Sequence, residues 1–190
     1  GYLNEMTGEV KKARETYSHA ASLSTDYCFP FRLESIPVLE SAIKHNEDDY
    51  KARYYQGNIM FDDRPEKAIE KWEKAVAINL NFAIAHRNLG WGYNHTYNDT
   101  PRAIREYETA LKLNPEDARY YYELDRLYEE NNTDPEKRLK VLTKNHEYLS
   151  KREDALMREI MVLVLNRKYN KAINYLNEYF FHIQEGSRGF

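Results

Sequence analysis

The sequence predicts an all-α chain, a solenoid of antiparallel helix–turn–helix units, and three observations predict it. Small–aromatic–small triplets recur as Ala13–Tyr17–Ala20, Ala68–Trp72–Ala75 and Ala103–Tyr107–Ala110. Their spacing of four and then three residues puts each triplet on one helix face. The triplets also keep a period, because Ala42, Ala75, Ala110 and Asn145 follow one another at 33 to 35 residues. Finally, Gly57 and Gly90 stand in the middle of the helices that precede two of the triplets. A glycine there costs about 1 kcal/mol against alanine, so close approach of the partner helix is the packing reason to expect. A chain with seven glycines and no alternating apolar pattern does not read as sheet.

Taken in order, 2–6 is the tail of a helix that Thr7-Gly8 breaks, and 9–24 is a second helix carrying the first triplet. Pro30, between Phe29 and Phe31, disfavours helix before it. The helix that follows holds Leu39 and Ala42 and ends near Asn46; it lacks a leading helix of its own. Helices over 49–61 and 66–78 flank a turn, with Pro65 suited to a first helical position. Asp48 or Asp49 is a natural N-cap. The central pair covers 81–94 and 101–113 and closes at Asn114-Pro115. The next pair, 118–130 and 136–149, is degenerate. Asp125 stands where glycine is expected, and Arg138, Leu142 and Asn145 fill the triplet, which implies looser packing. In the last pair, Leu156, Ile160, Leu163 and Val164 are wider than one face and predict a helix covered on both sides. Ala172 and Leu176 are in register in its second helix. The array is thus read as one domain over 1–190, with units at 1–25 (partial), 26–47 (an irregular half), 49–80, 82–115, 117–150 and 152–183, and a frayed tail at 184–190. Such units cannot bury their apolar faces alone, so neighbours stack around a continuous core.

Leu89, Gly90, Tyr93, Ala103, Tyr107, Ala110 and Pro115 reproduce the pattern of the tetratricopeptide repeat, and the chain resembles that family along nearly its whole length. The resemblance implies a right-handed superhelix whose leading helices line a concave, ligand-binding face. The runs FPFRLES, RNLGWGY, YYELDRLYE and EKRLKVLTKNHEYLSKREDALMREI also resemble bacterial proteins, common in gut Bacteroidetes. In those proteins a galactose-mutarotase-like domain of unknown function precedes such repeats. The chain starts at Gly1 inside a helical pattern and so reads as an excerpt of a longer protein, whose compartment its first residues do not reveal.

Composition excludes several classes. A net charge of -3 does not favour nucleic acid or an anionic membrane surface, and no apolar run is long enough to insert in a bilayer. The single cysteine, Cys28, reads as a small buried hydrophobe. No metal, phosphate-loop or nucleophile motif is present, and no two of the six histidines share a helix at i, i+4. Carboxylate pairs such as Glu129–Glu130 read as solvated helix surface. The expectation is a non-enzymatic chain without cofactor.

Carrying the family's inward-facing register onto this sequence gives a groove of Lys51, Tyr54, Tyr55 and Asn58, then Arg87, Asn88, Trp91 and Asn94, then Arg119, Tyr122 and Arg126. Arginine and aromatic residues dominate binding hot spots, so the groove suits an extended peptide or protein segment. Asn58, Asn88 and Arg119 match three positions of the family's carboxylate clamp, but Tyr54 and Glu123 replace basic residues it needs. Two other readings are a structural arm that spaces or dimerises the parent protein through uncapped array ends, and a carbohydrate-binding surface of stacked aromatics.

Overall fold

The structure is a computed structural model that describes residues 1–26 and 28–182. Every regular element among the described residues is a helix, and there are twelve: α1 (Tyr2–Met6), α2 (Val10–Ser22), α3 (Ser35–His45), α4 (Tyr50–Met60), α5 (Pro65–Ile78), α6 (Ala83–Tyr97), α7 (Thr100–Leu113), α8 (Ala118–Glu130), α9 (Pro135–Lys144), α10 (His146–Leu149), α11 (Glu153–Leu165) and α12 (Tyr169–Glu178). The all-α reading holds. The expected frayed tail lies outside the described residues. The helices gather into two compact units, Gly1–Leu113 and Asn114–Phe190.

Local chemistry sets the ends of these helices. Asp49 accepts from the Ala52 amide at 2.9 Å, and Asp134 from the Glu136 amide at 2.6 Å, each satisfying an amide that has no partner inside its helix. Pro65 and Pro135 open α5 and α9, where a missing N–H costs nothing. Four leading helices stop in the same way. After α1, α6, α8 and α11 the chain passes through a left-handed residue, respectively Gly8, Asn98, Asn132 and Arg167. At Asn98 the chain reverses with Asp99 N–H on the Tyr93 carbonyl at 3.1 Å. This turn lets α6 run three residues beyond the end read from the sequence.

In the first unit, α4 packs on α5 and α6 on α7 as long hairpins, with α5 also lying against α6. The triplets form their seams: Ala68, Trp72 and Ala75, like Ala103, Tyr107 and Ala110, are buried. The glycines stand where the seam is tightest. A Cβ on Gly57 would come within 2.5 Å of Trp72 Cδ1, and one on Gly90 would overlap the Tyr107 ring and lie 3.1 Å from the Ala103 carbonyl oxygen. Gly1 repeats the arrangement, since a Cβ there would lie 2.5 Å from Tyr17 Cε1. Gly90→Ala therefore sets a gain of about 1 kcal/mol in helix propensity against overpacking onto a buried ring and a backbone oxygen. A net loss of about 1–3 kcal/mol is expected, read as a lowered urea midpoint with unchanged slope.

The irregular start of the unit has its own solution. Among the described residues no helix precedes α3 between 23 and 34, as the spacing implies. Instead α3 leans on α1 and α2: the Ser41 hydroxyl donates to Glu5, Lys44 Nζ lies 3.2 Å from the same carboxylate, and Tyr17 stacks on His45 at 5.5 Å. Ala13, Tyr17, Ala42 and Ala52 form the local core. Phe29, Phe31 and Leu33 are exposed, and so is Cys28. The expectation of a buried Cys28 is thus corrected: the side chain is exposed and reaches the Tyr55 hydroxyl.

In the second unit α8 meets α9, α10 and α11, and α11 meets α12. Three expectations change here. The helix read over 136–149 is broken at Asn145, whose side-chain amide donates to the Val141 carbonyl at 2.8 Å, so α9 and α10 are separate. Ala172 is buried in α12 as its register implies, but its buried companion is Tyr175, not Leu176, because Tyr175 stacks on His146 at 4.3 Å while Leu176 faces outward. And of the wide apolar set on α11, Leu156, Ile160 and Leu163 are buried where the helix meets α8, α9 and α12, but Val164 is exposed together with Met161 and Leu165.

Candidate functional site

Within the first unit, α4 and α6 bring four of the expected groove residues together. Asn58 of α4 is fixed from below by the seam. Its Oδ1 accepts from Trp72 Nε1 at 3.0 Å and from Asn88 Nδ2 at 2.9 Å. Both are donors, so the amide orientation of Asn58 is settled and its NH2 points away from them. Arg87 donates to Asn88 Oδ1 at 3.2 Å. Arg87 and His95 lie one turn before and one turn after Trp91 on α6. The guanidinium sits 5.7 Å from the indole centroid, and the imidazole stacks at 4.9 Å and 17°. Trp91 is 41% exposed. The result is a solvent-facing column of Arg87, Trp91 and His95 beside two oriented side-chain amides.

Other expected residues are engaged in the fold. Lys51 Nζ donates to the Ala21 carbonyl at 2.9 Å and to that of Leu23, capping the end of α2. Tyr54 is buried, its ring against Tyr55 at 5.4 Å and Phe82 at 5.1 Å, so it forms floor and not platform. Tyr55 is half-buried, and burial together with Cys28 raises its phenol pKa. Asn94 Oδ1 accepts from Thr100 Oγ1 at 2.8 Å, which ties α6 to α7.

In the second unit, Arg119 turns back to Asp117 at the start of its own helix, with Nε and Oδ1 3.0 Å apart. Arg126 lies over Tyr122 at 5.9 Å and reaches Glu130 at 3.8 Å.

Three polar clusters escape the sequence reading. The first replaces the glycine–alanine contact of the degenerate hairpin. Asp125 is 1% exposed and pairs with Arg138 through both carboxylate oxygens, each at 2.9 Å, and with Arg158 Nε at 2.6 Å. Arg158 also reaches Glu129 at 2.9 Å. Burial opposes ionisation of Glu129, but Arg158 and Arg138 outweigh it and hold its pKa below the ordinary value; Glu129 is therefore an ion-pair member, not merely solvated surface. Burial likewise works against the charge of Arg158, and Asp125 and Glu129 raise it above the usual value. An Asp at the glycine position paired with an Arg at the first triplet position was the visible signal. The second cluster joins His146 to buried Glu159 at 2.6 Å and to Tyr179 at 3.0 Å. The third joins His86 to Glu106 at 2.7 Å. Among the described residues no group of three or more His, Cys, Asp or Glu could hold a metal, and no helix is long and apolar enough to cross a membrane.

These hairpins and seams are those of a helical repeat protein. Residues 98–142 match the family profile described as tetratricopeptide repeat. The chain is similar to solved structures at TM-scores above 0.6. MamA is 19% identical, over 88% of this chain and 90% of that one, with a TM-score of 0.64. YrrB, described as a TPR protein with an unusual peptide-binding site, is 20% identical over 75% and 73%, also at 0.64. PilF of Pseudomonas aeruginosa is 17% identical over 88% and 75%, at 0.62. The chain has the tetratricopeptide-repeat fold, and 98–142 carries the repeat itself.

Proposed function

We propose that the chain is a non-enzymatic scaffold that binds an extended segment of a protein partner along the exposed face of α4 and α6. The observation that carries this reading is the Arg87–Trp91–His95 column set beside the Asn58 and Asn88 amides. The Asn58 NH2, held in one orientation by Trp72, is placed to donate to a peptide carbonyl, and Arg87 supplies charge for an acidic side chain or a carboxylate. The peptide-binding site named for YrrB, a protein of the same fold, is consistent with such a use. Arg119, Tyr122 and Arg126 offer a similar aromatic and basic set on the second unit. A sugar platform is less well supported. Arg87 and His95 cover Trp91 from either side along the helix, and Tyr54 is buried.

A second reading rests on exposed Val164, Leu165, Ile173 and Leu176 on the last hairpin. Such a surface suits an arm that assembles or spaces a sugar-active domain of a longer parent chain, as the Bacteroidetes resemblance implies, or that pairs with a second copy.

The test is selection of binders from a random peptide library on the intact chain, followed by titration against variants. Trp91→Ala and Arg87→Ala are each expected to weaken a selected peptide about tenfold or more, with helicity unchanged. Raising salt is expected to weaken it further, through the arginine. Peptides that bind all three proteins equally would refute the site.

A further inference from the structure

The ring of His86 meets an acceptor at each nitrogen. Nδ1 lies 2.7 Å from Glu106 Oε2 of α7, and Nε2 lies 3.1 Å from the Leu80 carbonyl oxygen in the connection between α5 and α6. A carbonyl oxygen cannot donate, so Nε2 carries a hydrogen; an ionised carboxylate cannot donate either, so Nδ1 carries one too. The side chain is 8% exposed, so water does not stand in for a lost partner.

We propose that His86 is held as an imidazolium and acts as a pH-sensitive latch, tying the α5–α6 connection to α7 while charged and releasing one side when it loses its proton. Glu106 is the charged group that reaches the ring from α7. On α5, Glu73 is engaged by Arg102 at 3.0 Å and by the Tyr93 hydroxyl at 2.8 Å, while the connection offers backbone at Leu80. Burial works against the charge, but Glu106 and the Leu80 carbonyl outweigh it, and the pKa lies above the ordinary histidine value.

His146 shows why the geometry matters. Its Nδ1 also faces a carboxylate, that of Glu159, but its Nε2 faces the Tyr179 hydroxyl. A hydroxyl can donate or accept, so His146 is satisfied with or without the second proton. His86 has no such freedom. Its latch closes at the start of α6, the helix that presents Arg87, Asn88 and Trp91.

A group whose pKa is raised by folding contributes stability in full below its unfolded value, about 6.5, and that contribution is lost as pH rises through the folded value. The test is ring 15N NMR of the intact chain through a pH titration, with hydrogen exchange of 79–86 corrected for intrinsic rate. His86 should carry both protons at about pH 6.5 and titrate above it. Protection of the connection should then fall about tenfold across that titration, the equivalent of one lost hydrogen bond. In His86→Gln the exchange should lose this pH dependence. If that variant does not fold, Glu106→Gln should instead shift the His86 titration to lower pH. A ring that is neutral at about pH 6.5, a proton found on Glu106, or exchange indifferent to the titration would overturn the proposal.

Discussion

Asp125→Ala is expected to destabilise the second unit by about 3–5 kcal/mol, because it leaves Arg138 and Arg158 buried without their carboxylate. Both guanidiniums are largely withdrawn from water, at 4% and 9% exposure, so hydration cannot replace the lost partner. Glu129 is half-exposed and can take over only the rim of the cluster. The cost is one of stranding, not a measure of what the cluster is worth. Replacing Asp125, Arg138 and Arg158 together by leucine or methionine is expected to be neutral or stabilising by about 1–4 kcal/mol. Urea unfolding of the single and triple variants checks both statements. A triple variant as unstable as the single one would mean that the ions define the hairpin geometry and do more than fill it. Acid should act on the same cluster. Glu129 has a lowered folded pKa, so its contribution is present above the ordinary carboxylate value and fades as pH falls through the folded one.

The cluster also marks the boundary of what the sequence discloses. Regular units were legible because their seams use small residues against an aromatic at fixed spacing, a pattern that helical geometry alone explains. Close approach of the partner helix at Gly90 was expected from the glycine alone, and Tyr107 is the side chain that makes it. Asp125 and Arg138 could be placed at the same two positions, and their departure from small residues implied looser packing. That they would pair with each other, and recruit Arg158 from the following unit, depends on side-chain reach across helices, which a one-dimensional spacing does not encode. The same limit explains Tyr175 and Leu176. Register favoured one, but the choice was made by His146, 29 residues earlier in sequence and stacked on the tyrosine.

For the candidate site, the positions were readable and the engagements were not. Asn58, Asn88, Arg87 and Trp91 are linked by contacts between α4 and α6 and along α6. Lys51 and Tyr54 lie at the expected places but are consumed by the fold, one as a cap for α2 and the other as packing under Phe82. A long side chain near a helix end will satisfy stranded carbonyls before it waits for a ligand. Cys28 went the other way: read as a buried hydrophobe, it is exposed.

Trp72 joins the seam to the site, and its substitutions should separate the two. Trp72→Ala empties a position 2% exposed and is expected to cost about 3–5 kcal/mol. Trp72→Phe keeps an aromatic in the seam but removes the N–H that holds Asn58. A loss nearer 1–2 kcal/mol is expected, from one hydrogen bond and a smaller ring. The indole Cδ1 and Nε1 are the atoms that block a Cβ on Gly57, and the smaller phenylalanine ring, with no hydrogen bond to hold it there, can shift away. Gly57→Ala should therefore be destabilising beside the native tryptophan and much less so beside a phenylalanine, a coupling of about 1 kcal/mol or more in a double-mutant cycle. Strict additivity would mean that the backbone, not the indole, requires glycine there. At the site the consequence differs in kind. With only Asn88 left to donate to its oxygen, the Asn58 amide is held less firmly in that orientation. A peptide that relies on that NH2 should then lose affinity for a variant whose helical content is intact. Equal affinity for the native protein and the Trp72→Phe variant would show that Asn58 takes no part in binding, and would leave Arg87 and Trp91 to carry it.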